Sequence, residues 1–335
     1  MSRSAGMAPA GSGEKVLSLL QGSGGEFVSG AQISRSLQIS RSAVWKQINT
    51  LRELGYRISA EPSKGYRLES SPDSLLSPQI RQGLKSGVIG RRIVSLQEAG
   101  STNTVAFRLA EEGGEEGTVV VADSQSGGKG RLGRVWVSPP GVNLYCSVIL
   151  RPPIQPMSAP QLTFLSVVAL ARAIEQSTGL TPRIKWPNDI LVNGKKVAGL
   201  LNEMSAETDK VNFVILGIGV NLNMTLDQFP SDLRHPATSL FLESGVTVRR
   251  TDFARCLLQE LDGIYATFLR EGYGPVRGEW LQRSRLAGER VTVSNDGNVT
   301  SGVVRGIDEY GALILEGEGG AMVQVVAGDV RLAGD

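Results

Sequence analysis

The sequence predicts an α+β protein with three regions: an N-terminal winged helix-turn-helix, a central domain around a mixed β-sheet, and a small C-terminal β-barrel. Residues 14–70 contain three helical patterns followed by a hairpin pattern. Residues 79–285 alternate helix and strand patterns, and short alternating strands follow from about Leu286. We therefore predict a flexible leader at 1–13 and domains at 14–70, 71–285 and 286–335. A length of 335 residues allows two or three domains.

The first region has the order helix, helix, turn, helix and hairpin. Ser29 is the expected N-cap of the second helix, Ser40 or Ser42 that of the third, and Gly55 ends the third. YRISAEPSKGYRLE reads as two strands around a turn. This order places the exposed face of the third helix in a DNA major groove. The predicted DNA contacts are Arg41, Ser42, Trp45, Lys46, Asn49 and, on the wing, Lys64, with Arg35 as a further phosphate contact.

The charge distribution favours the same interpretation. Residues 1–70 hold nine Lys/Arg and five Asp/Glu, whereas the whole chain has a net charge of only +2. A basic region on a nearly neutral protein indicates nucleic-acid contact by that region alone. A helical protein-docking domain would show the same helix pattern, so it is the alternative.

The central region begins after SSPDSLLSP, a polar linker punctuated by proline. GTVVVADSQ, NLYCSVILRP, RIKWPNDILV, KVAGLLNEMS and VNFVILGIGVNLN read as strands. TFLSVVALARAIEQSTG is a long core helix that ends at Gly179, and Thr251–Glu271 is a second helix. Strands mixed with several helices predict a mixed sheet.

Composition narrows the possible function classes. The chain is 41% hydrophobic and 20% charged, as soluble globular proteins are. It has no run of about 18 uncharged apolar residues and no apolar signal-peptide core, so we expect no membrane association and a cytoplasmic location. Two cysteines and one histidine predict no metal site; we expect Cys146 to be a buried strand residue and His235 to have no catalytic role.

Two segments carry the chemistry. GGKGRLGRVW (Gly127–Trp136) mixes glycines with Lys129, Arg131 and Arg134, which suits close wrapping around phosphate or carboxylate oxygens. In RIKWPNDILVNGKKVAGLLNE (Arg183–Glu203), Lys185 stands at the end of a strand, just before Trp-Pro-Asn-Asp. Together they indicate chemistry on a carboxylate and a nucleotide phosphate.

These segments resemble the signatures of biotin protein ligases, namely their GRGRxGRxW loop and KWPND motif. GSTN (Gly100–Asn103), SPPGVNLYCS (Ser138–Ser147) and GIGVNLN (Gly217–Asn223) match as well, in the family's order, from about Lys15 to the C-terminus. One departure is Lys129, where the family usually has Arg, so a bidentate contact is lost there. The resemblance implies a central domain of class II synthetase-like type and an SH3-like C-terminal barrel; repressor members also carry the winged domain.

The implied activity is ATP-dependent formation of biotinyl-5'-AMP, with Mg²⁺. Biotin then passes to a lysine of the biotin carboxyl carrier protein of acetyl-CoA carboxylase. Adenylation concentrates negative charge at phosphorus, so the site needs cations and N–H donors rather than a nucleophile. Repressor members also imply a homodimer that binds a DNA operator in response to biotin.

The resemblance assigns roles residue by residue. Lys185 would sit between the biotin carboxylate and the α-phosphate, and Arg131 would close over the adenylate; these are the predicted catalytic residues. The biotin contacts would be Ser101, Thr102, Asn103, Gln125, Lys129, Gly130, Arg131 and Lys185. The ATP and adenylate contacts would be Gly128, Lys129, Arg131, Arg134, Asn188 and Asn221.

Three side chains have less definite roles. Trp136 is expected to pack at the foot of the loop. Asp189 would either neighbour Lys185 or orient the attacking amine. Phe229 is the aromatic residue in the segment where some members of the family stack adenine.

Three other functions share parts of this pattern. A lipoate or octanoyl ligase has a related fold and a similar lysine, but GSTN and the glycine–arginine loop favour biotin. A regulator that senses biotin without turnover would not need both Arg131 and Lys185. A ligase whose N-terminal domain does not bind DNA is the third.

Overall fold

The computed structural model describes residues 12–233, 236–295 and 298–332. Residues 1–11 of the predicted leader and His235 lie outside the described residues. The chain divides into two compact units, Met1–Asp73 and Ser74–Asp335. Each unit has a hydrophobic core of its own.

The first unit is the predicted winged helix-turn-helix. Its helices are α1 (Ser12–Gly22), α2 (Gly30–Leu37) and α3 (Arg41–Glu53), and its wing is the antiparallel pair β1 (Arg57–Glu61) and β2 (Gly65–Ser70). Ser29 and Ser40 cap α2 and α3, each accepting a backbone N–H at 3.1 Å. Val44, Ile48 and Leu51 bury one face of α3, which leaves the opposite face exposed.

The second unit contains the predicted mixed sheet, with strand order β3-β4-β5-β9-β8-β7-β6. Its strands are β3 (Ile93–Ala99), β4 (Val119–Gln125), β5 (Leu144–Leu150), β6 (Arg183–Lys185), β7 (Asp189–Val192), β8 (Lys195–Ala206) and β9 (Val211–Val220). The β3–β4 pair is parallel and the other pairs are antiparallel. RIKWPNDILV is a hairpin rather than one strand, because the chain reverses at a cis Trp186–Pro187 bond between β6 and β7.

Six helices accompany this sheet in the described residues. They are α4 (Ser77–Arg81), α5 (Thr102–Glu111), α6 (Gln161–Thr178), α7 (Leu240–Ser244), α8 (Arg250–Glu271) and α9 (Gly274–Ser284). The segment Pro156–Thr178 is long and apolar enough to cross a membrane, but 72% of its apolar 18-residue stretch is buried inside the protein. It is therefore the core helix that the sequence predicts, and Gly179 in the left-handed region ends it.

The C-terminal strands form an antiparallel sheet of order β13-β12-β11-β10-β14. They are β10 (Arg290–Asn295), β11 (Asn298–Ile307), β12 (Leu313–Glu316), β13 (Met322–Val325) and β14 (Asp329–Leu332). The pairing of the described strands is that of an antiparallel sheet, and its closure into a barrel stays a prediction. The indole of Trp186 donates to the carbonyl of Gly311 at 3.1 Å, and a side chain at Gly311 would overlap the ring of Phe164. The regions on either side of residue 286 therefore share one core.

Candidate active site

A cavity of about 590 Å³ lies on the central sheet beside the loop Gly127–Trp136. Most of the predicted ligand contacts line it: Ser101, Thr102, Asn103, Gln125, Lys129, Gly130, Arg131, Arg134, Asn188 and Asn221. These residues come from five separate stretches of the chain, and the fold brings them to one cavity. Two predicted contacts, Gly128 and Lys185, are not among the described residues that line the cavity.

The loop folds back on itself as a narrow turn. The N–H of Gly130 donates to the carbonyl of Arg134 at 2.7 Å, and the N–H of Trp136 donates to the carbonyl of Gly128 at 2.9 Å. A side chain at Gly128 would overlap the backbone carbonyl oxygen of Trp136. Gly128 is therefore required for the close approach of the loop's two arms, which is a different role from the predicted ligand contact.

Two loop arginines already have partners. Arg131 donates to the side-chain oxygen of Asn188 at 3.1 Å, and burial lowers the pKa of its guanidinium. Arg134 donates to the carboxylate of Asp329 at 2.6 Å, and this hydrogen bond raises the pKa of Arg134. Arginine remains charged in proteins, so both residues present fixed positive charge to the cavity.

Besides Lys129, the structure brings a second lysine, Lys196, to the cavity. Its ammonium lies 2.6 Å from the carboxylate of Asp189 and 5.5 Å from the ring centre of Trp136. Lys185 lies at the end of the edge strand β6, on the same strand face as Arg183, which donates to the carbonyl of Ser284. Lys185 is not among the described residues that line the cavity, although its strand partner Asp189 is, so the place of Lys185 at the ligand stays a prediction.

Trp136 packs against glycines of β8 and β9. A Cβ atom would lie 2.6 Å from the indole at Gly219 and 3.1 Å from it at Gly199. The missing side chains leave a flat strip of sheet for the ring. Trp136 thus packs at the foot of the loop as predicted, and it also lines the cavity.

The other end of the cavity is neutral and polar. Ser101, Thr102 and Asn103 begin α5 and are each 4% exposed. Ser101 occupies the N-cap position without a side-chain capping bond, so helix capping does not account for its hydroxyl. The carboxamide oxygen of Gln125 accepts the Thr102 N–H at 2.8 Å, while its nitrogen donates to Ser138 at 3.0 Å.

Asn221 and Phe229 lie on the remaining wall. The side chain of Asn221 donates to the carbonyl of Thr238 at 3.1 Å, which fixes the segment after β9. Phe229 lines the cavity beside Pro230 and Leu233. An aromatic face is therefore present in the segment that the sequence singled out.

The predicted DNA contacts on α3 share the exposed face of that helix. Arg41, Ser42, Trp45 and Lys46 are exposed on α3, Asn49 is half-buried, and Arg35 is exposed on α2. Trp45 is 58% exposed. On the wing, Lys64 forms an ion pair with Glu61 at 2.7 Å.

Models of known protein families match three successive regions of this chain. A model of the biotin/lipoate A/B protein ligase family matches residues 96–221, an HTH domain model matches 14–67, and a biotin protein ligase C-terminal domain model matches 287–332. The bifunctional ligase/repressor BirA of Bacillus spizizenii is 40% identical over 317 residues, covering 95% of this chain and 97% of that protein. The chain belongs to the biotin protein ligase family.

Members of the biotin protein ligase family differ in how much of this chain they match. The biotin–[acetyl-CoA-carboxylase] ligase of Paracoccus denitrificans is 37% identical over 243 residues, which cover 71% of this chain and all of that protein. The biotin protein ligase of Aquifex aeolicus, solved with biotin and ATP, is 29% identical with a TM-score of 0.62. It covers 72% of this chain and 98% of its own.

Sequence reasoning missed two residues at the site of this family member. Lys196 lies in GKKVAG, inside the quoted segment, but the Trp-Pro-Asn-Asp motif drew attention to Lys185 instead. Its position after a hairpin could have identified it, had the reversal at Pro187 been predicted. Asp329 is 195 positions from its partner Arg134, and no sequence signal connects the two.

Proposed function

We propose that this protein is a biotin–protein ligase. It makes biotinyl-5'-AMP from biotin and ATP and then transfers biotin to a lysine of the biotin carboxyl carrier protein. One observation carries the proposal: a single cavity joins a cationic wall to a neutral polar end. The first suits a carboxylate and phosphates, and the second suits the uncharged ureido ring of biotin.

In the first half-reaction a biotin carboxylate oxygen attacks the α-phosphorus of ATP and pyrophosphate leaves. Both reacting groups are anionic, so cations must hold them together. We assign to Lys196 the position that the sequence suggested for Lys185, because Lys196 reaches the cavity. Arg131, donating to Asn188, is placed to close over the acyl-adenylate and exclude water.

The remaining contacts divide between the two ligands. Ser101, Thr102, Asn103 and Gln125 would hold the ureido ring, and Lys129, Gly130, Arg134, Asn188 and Asn221 the adenylate, with Phe229 beside the base. Asp189, paired with Lys196, would position that lysine and release it to phosphate. We propose each of these roles from the position of the residue in the cavity.

Mg²⁺ would arrive with ATP. No group of three or more His, Cys, Asp or Glu side chains suited to a metal occurs in the described residues. Asp189 and Asp329 line the cavity, but each is paired with a cation. This arrangement fits a magnesium ion held mainly by the triphosphate and its waters, where it would neutralise phosphate charge.

In the second half-reaction the carrier lysine attacks the acyl carbon, AMP leaves and the amine loses a proton. The carrier must therefore present an extended segment near the cavity. The edge strand β3 runs directly into Ser101, so we propose strand addition at this edge. The same edge could join two copies in a homodimer.

We also propose that the first unit binds an operator DNA and represses biotin synthesis when the adenylate is present. Support comes from its helix-turn-helix fold, its exposed cations and the bifunctional relative. A ligand that favours the dimer also favours its DNA complex. We propose a cytoplasmic location, where a carrier protein and an operator DNA would both be accessible.

The test is incubation with ATP, Mg²⁺, biotin and a carrier domain, followed by mass spectrometry of the carrier. Biotinylation of a single carrier lysine is expected. Lipoic acid in place of biotin is the matched control for a lipoate ligase, and no lipoylation is expected. Adenylate without carrier modification would support a biotin sensor instead.

A further inference from the structure

A row of hydrogen-bonded side chains lies behind the polar end of the cavity. Ser147 is fully buried in β5 and Glu203 is half-buried in β8. Neither is among the described residues that line the cavity. Asn103, which does line it, connects the two.

The side-chain amide of Asn103 has a defined orientation. Its nitrogen lies 2.9 Å from the carbonyl oxygen of Leu201 and 2.7 Å from a carboxylate oxygen of Glu203. Both partners only accept, so a flipped amide would place its oxygen against two oxygens. The amide oxygen therefore points to Ser147, over Gly217, where any side chain would overlap it.

This orientation decides where the Ser147 hydrogen goes. The hydroxyl oxygen of Ser147 is 2.7 Å from the Asn103 amide oxygen and 2.8 Å from the Thr102 hydroxyl oxygen. A serine hydroxyl has one hydrogen, and an amide oxygen can only accept. Ser147 must then donate to Asn103, and the hydrogen in its contact with Thr102 must come from Thr102.

Thr102 consequently donates inward. Its other neighbour, the Gln125 carboxamide oxygen, is farther away at 3.2 Å and already accepts the backbone N–H of Thr102. The lone pairs of the Thr102 hydroxyl are what remain for a ligand. Toward the cavity this threonine is an acceptor.

We infer that Glu203, Asn103 and Ser147 fix Thr102 as a hydrogen-bond acceptor, which makes the polar end select a ligand N–H. The inference rests on the proposed function, under which that group is one of the two ureido N–H groups of biotin. Ser147 and Glu203 act as positioning residues, because neither is among the described residues that line the cavity. Ser147 contacts Thr102 directly, and Glu203 acts on it through Asn103 and Ser147. Ser147 and Glu203, which lie outside the cavity wall, then contribute to the specificity for a cyclic urea.

The test uses biotin and its two cyclic carbamate analogues, in each of which a ring oxygen replaces one ureido N–H. Calorimetry gives the affinity of the full-length protein for each compound. The wild-type protein should bind one analogue roughly 100-fold or more weakly than biotin, because two oxygen lone pairs would face each other. This ratio of affinities is the readout.

Ser147→Ala releases the Thr102 hydrogen to rotate toward the ligand. The ratio should then fall to about tenfold or less, since Thr102 can donate to the ring oxygen of the analogue. Ser166→Ala is the matched control: Ser166 is equally buried, but its hydroxyl donates to Leu162 inside α6. A purely structural effect would weaken all three ligands alike and leave the ratio unchanged.

A second pair of variants tests the inference if Ser147→Ala does not fold. Glu203→Leu at this half-buried position removes an acceptor and should lower the ratio, whereas Glu203→Gln keeps an acceptor and should preserve it. A ratio within twofold of wild type in Ser147→Ala, or in Glu203→Leu if the first is unfolded, overturns the inference. Equal wild-type binding of biotin and both analogues overturns it too, but leaves the ligase proposal standing. Failure of wild type to bind biotin removes both.

Discussion

Lys196 and Lys185 belong to the same motif-bearing segment but differ in what they can reach. Lys196 lines the cavity, next to Asp189 and Trp136, and Lys185 ends an edge strand. We expect Lys196→Ala to slow biotin-dependent ATP–pyrophosphate exchange by about 10²–10³, the usual effect of losing a fixed charge stabiliser. Lys185→Ala should stay within about tenfold of wild type, since that side chain lies outside the cavity.

The matched control for this pair is Lys195→Ala. Lys195 adjoins Lys196 on β8 and also forms an ion pair, with Glu243 at 3.0 Å, but it is not among the described residues at the cavity. It should exchange pyrophosphate at the wild-type rate. If Lys185→Ala is inactive and Lys196→Ala is active, the original assignment from the motif is correct.

The glycines beneath Trp136 leave space for its indole ring. Gly219→Ala would bring a methyl group 2.6 Å from the indole, and overpacking of this kind costs about 1–3 kcal/mol. We expect the Kd for biotin to rise roughly tenfold, because the ring must move into the cavity. Calorimetry and the tryptophan fluorescence spectrum would measure both effects.

Gly263→Ala is the opposite case and serves as the control. Gly263 lies inside α8, and a Cβ atom there meets nothing within 4 Å. Alanine is the better helix former by about 1 kcal/mol, so the Tm should rise and biotin affinity should not change. An unaltered Kd in Gly219→Ala would show that Trp136 is mobile enough to yield.

Among the elements, the loop Gly127–Trp136 is held by an ion pair from another sheet. Arg134 and Asp329 are 40% and 37% exposed, so the pair should contribute no more than about 1 kcal/mol to the free energy of unfolding. Asp329→Asn should therefore leave the Tm almost unchanged while accelerating hydrogen exchange in the loop. Biotinyl-adenylate should slow that exchange again, because it supplies new anionic partners to the loop cations.

Glu316→Gln is the control for this element. It removes the partner of Arg305 in another exposed ion pair of the same C-terminal sheet. Exchange in the loop should stay at the wild-type rate. Equal loop protection in Asp329→Asn and wild type would mean that backbone hydrogen bonds alone hold the turn.

Elements with local signals were predicted well. The caps at Ser29 and Ser40, the end of α6 at Gly179 and the buried face of α3 depend on contacts within a few residues. The hairpin at Pro187 was missed because RIKWPNDILV was interpreted as one strand, although its Pro-Asn-Asp sequence is a turn signal. The resemblance predicted most of the residues that line the cavity. The positions of Lys196 and Asp329 depend on strand order and on pairing between distant residues, and no local sequence pattern reveals either.

At the scale of the whole molecule, the two units have separate cores. The first contains residues from Val16 to Ile58, and the second begins at Leu75. Deleting residues 1–73 should remove DNA binding and leave carrier biotinylation, because the core of the second unit contains no residue of the first. Carrier biotinylation and DNA mobility shift, measured on both proteins, test the two halves independently.

DNA binding by the full-length protein should depend steeply on salt. Contacts from Arg35, Arg41, Lys46 and Lys64 would each release a counterion, which corresponds to about 0.9 log units of affinity per log unit of salt. Titration at two salt concentrations, with and without adenylate, measures both the slope and the ligand effect. Binding that is equal in both ligand states would contradict repression and leave the ligase alone.

The pairing of Arg134 with Asp329 also bears on biosynthesis. The arginine leaves the ribosome 195 residues before its aspartate, and domains generally begin to fold as they emerge. All seven strands of the central sheet therefore leave the ribosome well before the loop can acquire its final anchor. An intermediate released from an unanchored loop would label any nearby lysine, so we expect selectivity for the carrier lysine to begin only when β14 is complete.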